Sequence, residues 1–405
     1  MLTSKETTKL LAKEALLSPQ EETLEIRRRK QNLFIGVPKE ISMQENRVAL
    51  TPDAVTLLVN NGHQIRVQKD AGKKANFTDN DYSEAGAEIC SLSEVFKADF
   101  IVKVEPPVDR EIELMFPGQT LMSALQLTVH PKETLKKLIQ KKITALAWDF
   151  IKDEEGTYPV VRIMSEIAGN TAILIAAEHL SNTNDGLGVM LGGIAGIPSS
   201  EVVIIGAGTV GEYAARAAIG LGATVKVFDN SISRLRRIQS KLGQRVYTSI
   251  MAPTTLSECL QTADVAIGAL RTPKRRTPVI VTEEMVQGMK SGSVIVDVSI
   301  DRGGCFETSR ITTHNDPIYK VHDVVHYCVP NIASRVSRTA SYALSQIFAP
   351  LLLEMGEMGG VSSLIKINPG FRNGTYIYKG ILTNQLLGEA FDLRYKDIEL
   401  LVAGL

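Results

Sequence analysis

The stretch Val202-Val203-Ile204-Ile205-Gly206-Ala207-Gly208-Thr209-Val210-Gly211 decides how this chain folds. Four β-branched apolar residues read as a buried strand, and a G-x-G-x-x-G turn follows at once. Tyr213-Ala214-Ala215-Arg216-Ala217 then continues as a helix. In such a turn the first glycine lets the chain reverse tightly, and the second lets backbone N–H groups approach a pyrophosphate. The third lets helix and strand pack closely. The helix start adds partial positive charge for the diphosphate. The next strand, Thr224-Val225-Lys226-Val227-Phe228, ends in Asp229. A carboxylate there accepts hydrogen bonds from the ribose hydroxyls of adenosine and repels a 2′-phosphate. Gly206, Ala207, Gly208, Thr209, Val210, Gly211 and Asp229 are therefore expected to bind NAD in preference to NADP. Asn230 and Ser231 follow Asp229 and Arg234 comes later, which leaves a relaxed preference open. A tight turn with no ligand is the plainer alternative, and the ordered strand, helix and acidic residue speak against it.

Outward from this turn the alternation continues in both directions. Downstream, Val265–Ile267 and Val294–Asp297 read as strands, Ser341–Met355 as an apolar helix, and Lys379–Leu393 as helical again. Upstream, Leu33–Pro38, Gln64–Gln68 and Phe100–Val104 read as strands, with a helix over Asp53–Asn60. Leu121–Leu127, Lys132–Lys141 and Ile143–Phe150 repeat strand, helix, strand. Near Tyr158-Pro159 the pattern changes to a long apolar helix over Ser165–Leu180, followed by a glycine-rich link over Gly186–Gly196. Strands alternating with helices predict an α/β protein with mostly parallel, doubly wound sheets. At 405 residues the chain is too long for one ordinary core, so two such domains are expected, without an internal repeat.

Forty-five Lys and Arg balance forty-five Asp and Glu. Zero net charge argues against nucleic acid or an anionic membrane surface as partner. The four cysteines, Cys90, Cys259, Cys305 and Cys328, form no CxxC and stand apart from any His at zinc-ligand spacing, so neither a metal nor a disulfide framework is expected. They read as buried thiols of a reduced compartment. Met1 to Lys30 alternates Lys and Glu with Leu, a polar amphipathic helix rather than a signal peptide. With no run of about 18 uninterrupted apolar residues, a cytoplasmic location is expected.

From about Phe34 to Gly359 the chain resembles the alanine dehydrogenases, which share their fold with the nucleotide domain of proton-translocating pyridine nucleotide transhydrogenases. The resemblance is carried by Gly36-Val37-Pro38-Lys39-Glu40, Glu45-Asn46-Arg47-Val48-Ala49-Leu50-Thr51-Pro52, Met164-Ser165-Glu166-Ile167-Ala168-Gly169, Val203 to Gly211, Asp297 to Glu307 and Tyr327-Cys328-Val329-Pro330-Asn331. It implies a Rossmann NAD domain inserted into a discontinuous catalytic α/β domain. The expected division is a helical extension over 1–32, the first part of the catalytic domain over 33–160, the NAD domain over 161–334, and helices returning to the catalytic domain over 335–405. It further implies oxidative deamination of L-alanine to pyruvate and ammonia, or the reverse, in a homo-oligomer, with hexamers known in the family.

By the same resemblance Arg47 receives the substrate carboxylate, Asp301 stands by the nicotinamide ribose and the reacting centre, and Asn331 lines the cleft. Ser165 and Arg234 fall on the cofactor side. Two positions depart from the family. Its catalytic Lys in K-V-K-E-P is replaced by Glu105 in Lys103-Val104-Glu105-Pro106-Pro107, and its catalytic His by Gln126 in Leu125-Gln126-Leu127. A carboxylate donates to a substrate carboxylate only when protonated, and a glutamine shuttles no protons. Lys103, His130 and His326 are the nearby basic groups, none convincing as a replacement by sequence. Losing both basic groups together predicts a pocket that prefers a neutral or cationic group where the family meets a carboxylate. Three readings stand at this level: an alanine-dehydrogenase-like enzyme with an altered catalytic pair, a dehydrogenase of another substrate, and a silent NAD-binding or regulatory protein. A transhydrogenase subunit is disfavoured, because it would need membrane spans and a partner.

Overall fold

The computed structural model describes residues 30–42, 44–125, 132–184, 186–271 and 276–403. The helical extension expected over 1–32 falls almost wholly outside these residues.

Two sheets organise the chain. The first is built from β1 (Phe34–Val37), β2 (Gln64–Gln68), β3 (Glu88–Cys90), β4 (Phe100–Val102), β5 (Thr120–Ser123) and β6 (Thr144–Ala147). The second is built from β7 (Glu201–Ile205), β8 (Thr224–Phe228), β9 (Tyr247–Ser249), β10 (Val265–Gly268), β11 (Val294–Asp297), β12 (Ile318–Val321) and β13 (Val324–Tyr327). Two late strands, β14 (Thr375–Tyr378) and β15 (Ile381–Leu382), join the first sheet. The orders are β15-β14-β6-β5-β4-β1-β2-β3 and β12-β13-β11-β10-β7-β8-β9. Every pairing is parallel except β12–β13, β6–β14 and β14–β15.

Set aside the antiparallel edges, and each sheet runs 6-5-4-1-2-3 in its own strand count. That is the doubly wound order whose ligands bind outside the carboxyl ends of the strands, where the winding reverses. The switch points lie between β1 and β4 and between β7 and β10. No internal repeat is legible in the residues; the repetition is in strand order alone. Alternate residues feed apolar cores on opposite faces, as with Val202 and Ile204 against Val203 and Ile205, or Phe100 and Val102 against Ile101.

Several elements differ from expectation. The helix expected from Ser165 begins at Pro159 and runs Pro159–His179, because proline at the first helical position presets φ and lacks only an N–H that would go unused. It is long and apolar enough to cross a membrane. Here Ala168, Ala172, Ile173 and Ala176 are core residues, and Gly169 lies against the helix Thr209–Gly220. The helix expected over Lys379–Leu393 is a hairpin first: β14 turns into β15 through Lys379 and Gly380, both at positive φ, and only Gln385–Phe391 is helical. The strands expected to reach Val104, Leu127 and Phe150 stop at Val102, Ser123 and Ala147.

Candidate functional site

At the second switch point each glycine of the turn does separate work. Gly206 holds φ +116°, and a side chain there would set Cβ 2.5 Å from the Ala269 carbonyl at the end of β10. At Gly211 a Cβ would collide with the Gly206 carbonyl, so this glycine lets the helix Thr209–Gly220 sit on β7. A Cβ on Gly208 would meet nothing within 4 Å. The middle glycine thus opens onto empty space at a helix N-terminus, a cradle suited to a diphosphate. Asp229 closes the far side: it is buried, accepts from Ala207 N at 2.8 Å and Ser231 N at 2.8 Å, and has Arg234 at 3.6 Å. A carboxylate has about four lone-pair sites, so acceptor capacity remains for a ribose. Arg237, unremarked in the sequence, donates to the Ala207 carbonyl at 3.2 Å. Ser165 spends its hydroxyl on its own helix, donating to Val161 O at 2.7 Å.

The loops after β10 and β11 are strapped together. Asp297 accepts from Ser299 N at 3.0 Å, Cys305 N at 2.9 Å and Ser309 Oγ at 2.7 Å, and Leu270 N donates to Ser299 Oγ at 3.1 Å. This clamp presents Asp301 from the turn Val298–Arg302. Asp301 is open to solvent in the cleft and yet deeply surrounded by protein, which pushes its carboxyl up to about 6 against the pull of Arg302 and Arg271. Asp149, from the first sheet's side, faces the same two arginines; burial raises it to about 6.

At the first switch point the chemistry belongs to side chains. The loop carrying Arg47 is held by three serine hydroxyls: Ser334 accepts from Asn46 N at 2.8 Å, Ser341 from Val48 N at 2.9 Å and Ser345 from Thr51 N at 2.8 Å. The last two stand one turn apart on the helix Ser337–Glu357. Arg47 is 7% exposed. Glu45 grips it as a fork, with Nε to Oε1 at 2.8 Å and Nη2 to Oε2 at 2.6 Å. Glu105 Oε1 stands 3.5 Å from Nη2, and Nη1 reaches the Met164 sulfur at 3.4 Å. Glu45 and Glu105 also hydrogen-bond each other, which requires a shared proton. Burial, then the Glu45 charge, pushes Glu105 well above the usual carboxylate range. Burial works against the charge of Glu45 too, but Arg47 overrides it and holds that carboxyl low.

Lys103 is no substitute cation for the site. It is fully buried, 2.6 Å from Glu111 and 3.4 Å from Glu40. Glu40 in turn accepts from Val104 N at 2.6 Å, and burial raises it to about 7. His326 is structural, on β13 inside the sheet, bonded to Thr308 Oγ1 at 2.8 Å and the Val324 carbonyl at 2.9 Å. Gln126 and His130 lie outside the described residues.

The structure brings Asn331 beside a residue that sequence reasoning missed. His314 hydrogen-bonds Asn331 and faces Glu45, and burial lowers its basicity. Among the described residues, its Nε2 is buried without a hydrogen-bond partner. Its neighbour Asn315 donates to Gln44 Oε1 at 3.2 Å, so this loop of the second sheet meets the Glu45–Arg47 segment. A lone His in a polar loop carries no spacing signal that could have found it.

Comparison with known proteins gives consistent matches. Residues 36–168 match the model for the alanine dehydrogenase/PNT N-terminal domain, and residues 172–385 that for its C-terminal domain. Alanine dehydrogenase 2 of Staphylococcus aureus strain USA300 is 39% identical over 367 residues, spanning 90% of this chain and 98% of that protein. A solved L-alanine dehydrogenase superposes with TM-score 0.83 at 36% identity, over 88% of this chain and 99% of its own. A transhydrogenase from Sinorhizobium meliloti shares the fold, with TM-score 0.74 at 24% identity over 87% of this chain and 99% of its own. With both domain models matched and the strand order, phosphate turn and cleft in place, this chain belongs to the alanine dehydrogenase/PNT family of oxidoreductases.

Proposed function

We propose that the chain is an NAD-dependent amino-acid dehydrogenase that interconverts L-alanine with pyruvate and ammonia, slowed by an altered substrate wall. The observation that carries this reading is the open space at Gly208 at a helix N-terminus, with the buried Asp229 carboxylate closing the same turn. Gly206 to Gly211 would hold the diphosphate and Asp229 the adenosine ribose, with Arg234 at its edge. NAD, when bound, supplies the acceptor for the hydride of the substrate Cα. Asp301, at about 6, exchanges protons near neutrality and takes one from the water that attacks the imino carbon. His314 Nε2 is a second proton acceptor at the substrate end, and Asn331 orients its ring. The boundaries at 160/161 and 334/335 belong to this reading.

A cytoplasmic homo-oligomer fits it as well: all four cysteines are free thiols, and Met190, Ile194 and Ile197 expose apolar surface suited to a second copy. The test is NADH consumption with pyruvate and ammonium, beside NADH binding followed by fluorescence. Turnover that depends on both substrates is expected. NADH binding without turnover of any amino or keto acid would overturn the dehydrogenase reading. The forked Arg47 favours the second reading, a silent NAD-binding protein, which that outcome would leave standing.

A further inference from the structure

We infer that Glu105 is a specificity-determining residue: its carboxyl fills, from within the chain, the place on Arg47 that a substrate carboxylate would take. The inference rests on the reading of Arg47 as the cation of the substrate end.

A guanidinium offers five N–H groups, and it binds a carboxylate through two parallel ones. Nε and one N–H of Nη2 already form such a pair with Glu45. The remaining edge, Nη1 and Nη2, is the place for a second carboxylate. There Nη1 faces the Met164 sulfur, and Glu105 Oε1 stands 3.5 Å from Nη2. Glu105 is 1% exposed and Arg47 7%, so solvent does not screen the group.

Charge accounting bears on the wall as a whole: Glu45 already matches Arg47, and burial, then the Glu45 charge, pushes the Glu105 carboxyl well above the usual carboxylate range. An arriving substrate carboxylate would leave the buried group with one uncompensated negative charge. Lys103 cannot offset it, because Glu40 and Glu111 hold it. His314 and Asn331, from the other side of the cleft, add no fixed positive charge. The wall therefore disfavours an α-carboxylate and admits a head group that is neutral or cationic, such as a carboxamide or an amine.

The test is calorimetric titration of oxamate, the carboxylate isostere of pyruvate, into the NADH-bound protein at pH 7.5. Wild type, Glu105→Gln and Glu105→Ser are compared. Glu105→Ser vacates the place on Arg47 and should bind oxamate at least about tenfold more tightly than wild type, a gain of about 1.4 kcal/mol. Glu105→Gln keeps it filled and should change affinity by less than about threefold. Unchanged or weaker binding by Glu105→Ser overturns the inference; weaker binding would make Glu105 a direct donor to the carboxylate. Should Glu105→Ser fail to fold, wild type decides alone. Pyruvamide bound more tightly than oxamate supports the inference, and equal or reversed order overturns it. Each titration is repeated without nucleotide. A protein that fails to bind NADH then counts against the proposed function, while the oxamate comparison keeps its own result.

Discussion

The two crevices of this molecule share one topology and work by opposite means. Between β7 and β10 the site is made of backbone: Gly206 turns, Gly211 packs, Gly208 opens, and a single carboxylate closes the far side. Between β1 and β4 the site is made of paired charges: Glu45, Arg47 and Glu105 in one group, Glu40, Lys103 and Glu111 in the other. A backbone site tolerates most changes that keep its glycines. A charge group changes character with a single residue, because every buried charge depends on its neighbours for compensation. In the proposed reading, the backbone side holds the nucleotide and the charged side meets the substrate.

The comparison can be broken at several points. Asp301→Asn removes the proton carrier of the proposed reaction; turnover should fall roughly 100- to 10,000-fold with NADH binding kept, measured by steady-state kinetics beside a fluorescence titration. A smaller loss would show that His314 carries the proton instead. Arg47→Ala leaves Glu45 buried and unpaired, and urea unfolding should record a loss of about 3–5 kcal/mol.

Acidity tests the charge groups directly. Glu40 is raised from 4.5 to about 7 in the folded protein. A carboxyl raised by folding stabilises below its unfolded value, and that contribution is lost as pH rises through the folded one. Stability should therefore fall between about pH 4.5 and 7, by on the order of 3 kcal/mol from Glu40. Glu105 is raised in the same direction by burial and the Glu45 charge, so it adds to the fall, and thermal melts of Glu105→Gln should show a shallower decline. The mildest change tests the backbone side. Gly208→Ala puts a methyl into open space, so the melting temperature should hold, while NADH binding weakens roughly 10- to 100-fold through lost backbone approach to phosphate.

How much was legible follows the same division. The phosphate turn, Asp229 and strands such as β2, β8 and β11 were readable because their cause is local: neighbouring residues settle a turn or an alternating strand. Glu105 and Arg47 could be singled out through the family resemblance, but their pairing could not. It depends on Glu45 reaching back to Arg47 while β4 ends early at Val102 and delivers Glu105 to the same spot. Lys103 appeared as a spare cation because nothing near it in sequence announces that Glu40 would arrive from beyond β1. Ser341 and Ser345 fell inside an expected apolar helix and Ser334 outside any expected element; only the fold shows that their hydroxyls hold the Arg47 loop. The tail hairpin was missed because Lys379-Gly380 lacks the Asn or Asp that usually marks such a turn.

The four carboxyls around two cations have a consequence for heat. Glu40 and Glu105 both hold their protons more tightly in the folded chain than in the unfolded one. Folding therefore draws protons out of the surrounding solution, and the buffer must release them. The calorimetric enthalpy of unfolding will differ between phosphate and Tris, whose ionisation heats are far apart. That difference counts the net protons the protein takes up on folding, and its decrease in Glu105→Gln would be the share of that one carboxyl.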